Sequence, residues 1–266
     1  MTEPLGSRPT EWAGKTYSEI TDLAGRDGSI LVVPVGSVEQ HGHHLPVATD
    51  TILVDAVAHL GATRVVDDLP VLVTPPVWTG HSPHHRSLGG TLSLGHEDLL
   101  GALEGVAETA LENGFDALLF CNGHGGNASL VSSVTGTVGV DHPDVEVLGV
   151  TYFHLASSFI DDLRESDVGG MAHAGEFETA LMLHLRPELV DTDRMEAEEL
   201  ESEYSHGLHD MFDAGPLTVY REFREYSASG AIGAPELATA EQGERLFERL
   251  GDELELVLRE AHERVR

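Results

Sequence analysis

The chain reads LVVPVGSVEQHGHHLPVATD over residues 31–50, and this stretch decides the fold. It continues an apolar, β-branched run that begins at Ile30, and such a run predicts a buried strand rather than a helix. Gly36 then ends the strand. The donors that follow are Glu39, His41, His43, His44 and Asp50. Open α/β sheets bind their ligands just beyond the carboxyl ends of strands, so we expect the functional site here.

Three of these donors suit a metal ion. Glu39 and His41 are two residues apart, so in an extended segment their side chains project to the same side. Asp50 can fold back to join them, because Gly42 and Pro46 favour a turn between. Two carboxylates and an imidazole are suitable ligands for zinc, manganese or iron(II). A solvated, histidine-rich loop would show the same residues, so the metal hypothesis needs support from other segments.

Helices and buried strands alternate through most of the chain. Predicted strands cover about 69–73, 115–121 and 146–152, and predicted helices cover 17–24, 51–61, 96–112, 128–140, 176–185 and 238–264. The second helix is expected to start at Asp50 or Thr51 and to stop at Gly61. This alternation predicts a mostly parallel sheet covered on both faces. No repeat or linker is visible, so a single domain over residues 1–266 is predicted.

The composition excludes some partners. The chain has 46 acidic and 15 basic residues, a formal net charge of -31, and Lys15 as its only lysine. Such a surface repels nucleic acid and anionic membranes, and it is typical of proteins that stay soluble in concentrated salt. No segment resembles a signal peptide or a membrane helix, and the lone Cys121 fits a reducing compartment. A cytoplasmic protein adapted to a salty cytoplasm is therefore predicted.

A second candidate segment is NGHGGN, residues 122–127, at the end of a predicted strand. Glycines let the backbone approach a ligand closely, and His124 would lie at the edge of the sheet. No Lys-Ser/Thr follows the glycines, which argues against a nucleotide-binding P-loop. The chain also lacks the G-x-S-x-G motif of serine hydrolases. Cys121 is a conceivable nucleophile, but its place in an apolar strand favours simple burial.

A third candidate segment is HAGEFE, residues 173–178. His173, Glu176 and Glu178 lie together at the start of a predicted helix. Glutamates in a first helical turn often complement the helix dipole. That explanation suits one glutamate but not two beside a histidine in a small, apolar setting. The segment therefore joins the other two as a candidate for the site.

From residue 32 to the C-terminal helix the chain resembles the creatininase (creatinine amidohydrolase) family. The resemblance rests on five motifs in order: VGSVEQHGHHLPVATD (35–50), GHSPHHRSLGGTLSL (80–94), NGHGGN (122–127), HAGEFET (173–179) and SASGAIGAPELATAEQGERLFE (227–248). It implies a three-layer α/β/α fold with a mostly parallel sheet. It also implies a homo-oligomer, commonly a hexamer, and an amidohydrolase with two divalent metal ions per subunit.

The resemblance assigns roles to residues of this chain. Glu39, His41, Asp50 and His124 match metal ligands, with Asp50 as the bridging carboxylate. His173 matches the catalytic histidine that gives a proton to the leaving nitrogen, and Glu178 matches the glutamate near it. Creatinine amidohydrolase has a glutamate ligand where this chain has Gly126, so Glu176 is predicted to supply the missing fifth ligand. The match also implies that four residues bind the substrate, namely Ser82, Gly125, Gly126 and Asn127.

The substrate stays open at this point. Creatinine amidohydrolase covers the flat ring of its substrate with tryptophans late in its chain, whereas this chain has only Trp12 and Trp78. In addition, Gly125 stands where creatinine amidohydrolase has a tyrosine that touches the substrate. Creatinine itself is therefore a doubtful substrate. Relatives with the glycine motif include a deformylase of a ribosylaminopyrimidine intermediate in flavin and deazaflavin synthesis, which would need a phosphate site near Arg86. Another such relative is a peptidase that trims a redox-cofactor precursor peptide. A non-catalytic metal-binding assembly protein is the alternative outside enzymes.

Overall fold

The fold is built on a parallel sheet of four strands in the order β2-β1-β3-β4. The computed structural model describes residues 5–199 and 204–266, so the predictions for residues 1–4 and 200–203 lie outside it. The strands are β1 (Ile30–Val35), β2 (Val71–Val73), β3 (Ala117–Asn122) and β4 (Glu146–Thr151). All three strand pairs are parallel. The predicted mostly parallel sheet is therefore confirmed.

Helices cover both faces of the sheet. The α-helices of the described residues are α1 (Tyr17–Ala24), α2 (Thr49–Val65), α3 (His96–Leu111), α4 (Ala128–Asp141), α5 (Glu176–Leu185), α6 (Phe223–Tyr226) and α7 (Ala240–Val265). One apolar core includes residues of α2, α5 and α7, and the other includes residues of α1, α3 and α4. In β1, Ile30 and Val32 belong to the first core and Leu31 and Val33 to the second. This alternation gives the three-layer α/β/α fold. None of the described helices is long and apolar enough to cross a membrane.

The second helix differs from its prediction. It begins at Thr49 without a side-chain cap and continues through Gly61 to Val65. Gly61 packs against α7, where a Cβ atom would lie 2.7 Å from Cδ2 of Leu254. The glycine is therefore a contact between two helices, not a helix stop.

Three chain segments meet at the carboxyl end of the sheet. The chain leaves β1 toward α2 on one face and leaves β3 toward α4 on the other, which opens a crevice between the two strand ends. The short strand β5 (Met171–His173), which the sequence did not predict, pairs antiparallel with β8 (Ile232–Gly233). A second small ribbon joins β6 (Leu208–Asp210) to β7 (Asp213–Ala214). The β5–β8 pair brings the C-terminal motif to His173, beside the crevice.

Candidate active site

Glu39, Asp50 and His124 converge at the crevice. Glu39 follows β1, Asp50 lies in the first turn of α2, and His124 follows β3. Nε2 of His124 lies 3.2 Å from Oε2 of Glu39, and its Nδ1 lies 3.2 Å from Oδ2 of Asp50. All three residues are buried, and each offers a ligand atom within 4.8 Å of the others. Their arrangement fits one metal ion held by two carboxylates and an imidazole.

His41 and Glu178 extend this cluster on the other side of Asp50. Nε2 of His41 lies 3.2 Å from Oδ1 of Asp50 and 3.7 Å from Oε1 of Glu178. Nδ1 of His41 lies 3.1 Å from the carbonyl oxygen of Glu39 and must donate to it, so in the neutral ring Nε2 is the nitrogen that can bind a metal ion. Despite the short distances within the cluster, Nε2 of His41 has no hydrogen bond of good geometry, and neither has Oδ2 of Asp50. A bound metal ion would satisfy such buried ligand atoms.

A tight turn places Glu178. Ala174 has a φ of 50°, in the left-handed region, and its backbone N–H donates to Oε2 of Glu178 at 2.6 Å. Oε1 stays directed toward His41. The turn before α5 thus fixes which carboxylate oxygen faces the cluster.

His173 stands at the edge of the same cluster. Its Nε2 lies 2.8 Å from the carbonyl oxygen of Gln40 and donates to it, which leaves Nδ1 as an acceptor 3.8 Å from Oε1 of Glu39. Its ring lies 4.4 Å from the ring of His41. Burial, and then the neighbouring His41, lower the pKa of His173 to about 3. A neutral imidazole with a free nitrogen therefore faces the cluster near pH 7.

The electrostatics of the cluster also suit cations. Burial by itself would lower the pKa of His124, but the carboxylates of Glu39 and Asp50 outweigh it and raise that pKa to about 10. The pKa of His41 is raised well above its usual value against the same burial, chiefly by Asp50. Although burial disfavours its charge, Asp50 has a lowered pKa because of the two histidines. Protons here occupy positions that metal ions would take on binding.

Glu176 does not join the cluster, which corrects the prediction of it as fifth ligand. Its two oxygens accept hydrogen bonds from the backbone N–H groups of Glu165 at 2.8 Å and Ser166 at 2.9 Å, and Gln242 donates to it as well. Its carboxylate is therefore satisfied on the side of α7. Glu178, predicted as catalytic, is the glutamate of α5 that lies beside His41.

The predicted substrate-side residues have different surroundings. Ser82 is fully buried and lies 2.6 Å from Oγ of Ser37 and 3.1 Å from Nε2 of His124, so it belongs to the support of the cluster. Asn127 is also buried and joins Gly36 to His81 through its side-chain amide. Neither side chain is free to contact a substrate.

The two glycines of the motif differ from each other. A Cβ atom on Gly126 would lie 2.3 Å from Nε2 of His124, so a side chain there would displace that imidazole. A Cβ atom on Gly125 would meet nothing within 4 Å. Gly125 is exposed and leaves open space beside His124.

Cys121 is fully buried in β3, and burial raises the pKa of its thiol to about 12. A thiol that stays protonated and inaccessible is not a nucleophile. The structural explanation of this cysteine is therefore confirmed.

Three residues of the site were not identified from the sequence. Nε2 of His85 lies 3.3 Å from Oε1 of Glu39. Gln40 contacts both His85 and His173. The ring of Phe223 covers these two histidines, with ring centroids 4.3 and 4.6 Å apart. His85 belongs to the GHSPHHRSLGG motif, and Gln40 stands between two predicted ligands, so the sequence held a signal for both residues. Phe223 had none, because it reaches the site only through the packing of α6.

Similarity to known proteins shows the family of this chain. The profile of the creatininase family, described as creatinine amidohydrolase, matches residues 13–258. The chain belongs to the creatininase family. Among relatives of the family, a mycofactocin precursor peptide peptidase of Mycobacterium ulcerans (strain Agy99) is 35% identical over 84% of this chain and 82% of its own. The creatinine amidohydrolase of Pseudomonas putida is 28% identical over 88% of this chain and 90% of its own.

Solved structures of the family share the fold. A structure titled "Creatininase Mn" superposes with a TM-score of 0.82 at 25% identity, covering 95% of this chain and 98% of its own. A structure of creatinine amidohydrolase (creatininase) also gives a TM-score of 0.82 at 25% identity, covering 96% and 98%. The predicted family and fold are thus confirmed. The chain therefore belongs to a family of hydrolases that act on carbon-nitrogen bonds, and this disfavours a non-catalytic assembly protein.

Proposed function

We propose that the protein hydrolyses an amide bond with two divalent metal ions. Glu39, Asp50 and His124 would hold one ion, and His41, Asp50 and Glu178 the other, with Asp50 shared. The observation that carries the proposal is the buried convergence of these donors, with ligand atoms within 4.8 Å in the set Glu39, Asp50 and His124. Zinc, manganese and iron(II) all suit carboxylate and imidazole ligands. When bound, such ions polarise a carbonyl oxygen and activate water.

His173 handles the proton in this proposal. Its Nε2 is engaged with the carbonyl of Gln40, so only Nδ1 can exchange a proton with the reacting atoms. The lowered pKa keeps Nδ1 unprotonated near neutral pH. Nδ1 therefore accepts the proton that the attacking water loses and gives it to the leaving nitrogen, which breaks the carbon-nitrogen bond.

An extended amide, such as a peptide, fits the site better than the flat ring of creatinine. Trp12 stacks on Phe115 in the core, and Trp78 is half exposed, so neither indole covers the cluster. The open space at Gly125 also leaves room for a longer substrate. The higher identity to relatives named as peptide peptidases supports the same choice. We retain the expected homo-hexamer and cytoplasmic location as parts of this proposal.

Metal content and a substrate panel test the proposal. The wild type, purified in molar salt without chelator, is expected to hold two metal equivalents and to hydrolyse short peptides faster than formamides or creatinine. Asp50→Asn should lose both metals, because it removes the shared carboxylate. Asp22→Asn on the exposed face of α1 is the control and should retain both. A wild type without bound metal, even after incubation with zinc or manganese, would refute the proposal.

A further inference from the structure

His85 is a buried histidine of the site that has no role in the proposal above. It lies in a short 3-10 helix, Pro83–Leu88, and is only 1% exposed. Nε2 of His85 lies 3.3 Å from Oε1 of Glu39, while Oε2 of the same carboxylate lies 3.2 Å from Nε2 of His124. Glu39 therefore has a histidine beside each of its oxygens.

Gln40 determines which nitrogen of His85 carries the proton. The backbone N–H of Gly42 donates to Oε1 of Gln40 at 3.0 Å, which fixes the orientation of the side-chain amide. The amide nitrogen then lies 2.8 Å from Nδ1 of His85 and must donate to it. Nδ1 is thus an acceptor, and the proton of the neutral ring is on Nε2, directed toward Glu39.

The same hydrogen bonds argue against His85 as a metal ligand. A ligand role for Nε2 would require the proton on Nδ1. That proton would face the amide N–H of Gln40, and two donors would oppose each other in a buried position. The cluster of Glu39, His85 and His173 is therefore not a third metal site.

The ring of His85 is held firmly in this orientation. It stacks on Phe223 at 4.3 Å between ring centroids and lies 4.5 Å from His173. Gly230 leaves room for the side chain of Gln40, since a Cβ atom on residue 230 would lie 2.0 Å from Oε1 of that glutamine. The φ of Gly230 is +90°, which also favours glycine.

We propose that His85 is a positioning residue, which directs its Nε2–H at Oε1 of Glu39 and thereby presents Oε2 to the metal ion shared with His124 and Asp50. The inference rests on the proposed function, because it assigns an orienting partner to one of its ligands. Outer partners of metal ligands typically contribute about 10–100-fold to metal affinity.

Two variants at His85 test this role. His85→Phe keeps a ring against Phe223 but removes the donor, and His85→Gln keeps an amide N–H near the position of Nε2. Zinc dissociation constants are measured by chelator competition, with the melting temperature of the metal-free protein in parallel. We expect His85→Phe to weaken binding of one zinc equivalent about 10–100-fold and His85→Gln to recover most of the loss. The partly buried His142, which directly follows α4, gives the matched control His142→Phe, which should bind zinc as the wild type does.

The outcomes separate this inference from the proposed function. If the wild type binds two zinc equivalents and His85→Phe binds them equally tightly, the positioning role is refuted and the proposed function stands. Equal losses in His85→Phe and His85→Gln would also refute it, because shape and not the donor would then matter. A wild type that binds no zinc would refute both. A lowered melting temperature of metal-free His85→Phe with unchanged zinc affinity would show a structural role only.

Discussion

The two glutamates that follow His173 contact partners on opposite sides of α5. Glu176 and Glu178 are the first and third residues of α5. An α-helix turns about 100° per residue, so their side chains leave the helix about 200° apart. Glu178 faces His41, and Glu176 faces Gln242 of α7. The sequence assigns both of them to the site, and only the orientation of the helix shows which one faces it.

These glutamates give a matched pair of variants. We expect Glu178→Gln to lose one of two metal equivalents, because an amide is a poor replacement for a carboxylate ligand beside His41. Glu176→Gln should keep both equivalents but lower stability by about 1–3 kcal/mol, since its new NH2 group would replace one acceptor oxygen and oppose the backbone N–H of either Glu165 or Ser166. Metal analysis and urea unfolding measure the two effects. A Glu176→Gln protein that loses metal would contradict the assignment.

At the scale of elements, the fold depends on close contact between α2 and α7. Gly61 of α2 packs against Leu254, and Gly251 of α7 packs against Leu60, where a Cβ atom would lie 2.5 Å from its Cδ2 atom. Each helix thus offers a glycine to a leucine of the other. Read along the chain, a glycine after an apolar segment indicates a helix end, which explains the wrong prediction at Gly61.

A substitution at this contact should be costly. We expect Gly61→Ala to destabilise the protein by about 1–2 kcal/mol, because crowding against Leu254 exceeds the gain in helix propensity. Thermal or urea unfolding measures the change.

Gly101 in α3 provides the control for this substitution. It is exposed, and a Cβ atom there would meet nothing within 4 Å. Gly101→Ala should therefore stabilise the protein by about 0.5–1 kcal/mol through helix propensity alone. Equal effects of the two substitutions would show that the helix contact is looser than described.

For the whole molecule, the charge is the dominant feature. The net charge of -31 is spread over a chain of 266 residues, with 46 acidic side chains. Repulsion among exposed carboxylates disfavours the compact state, and salt weakens this repulsion. The screening length falls from about 10 Å at 0.1 M salt to about 3 Å at 1 M. Adaptation to high salt therefore remains a prediction that can be measured.

We expect the melting temperature to rise between about 0.1 and 1 M potassium chloride, because at 1 M the repulsion between carboxylates extends little beyond neighbouring side chains. Circular dichroism at several salt concentrations measures the rise, and sodium chloride should give the same curve. A melting temperature that is flat or falls over this range would disprove the adaptation. A rise only with sulfate would point to surface exclusion instead of charge screening.

The sequence by itself determined the layers, the family and most of the cluster. Strand runs and helix periods are local patterns, and the donors Glu39, Asp50 and His124 each stand just beyond a strand or at a helix start. Strand ends in a parallel sheet must meet at one edge, so local order was enough to bring them together.

The tertiary structure alone decided the side of α5 that faces the site, the contact at Gly61, and the positions of His85 and Phe223 beside the cluster. These depend on how helices rotate and pack against one another, and on hydrogen bonds between residues far apart in the chain. Rotation of a helix about its axis leaves its sequence pattern unchanged, because the pattern shows which residues are buried but not which neighbour buries them.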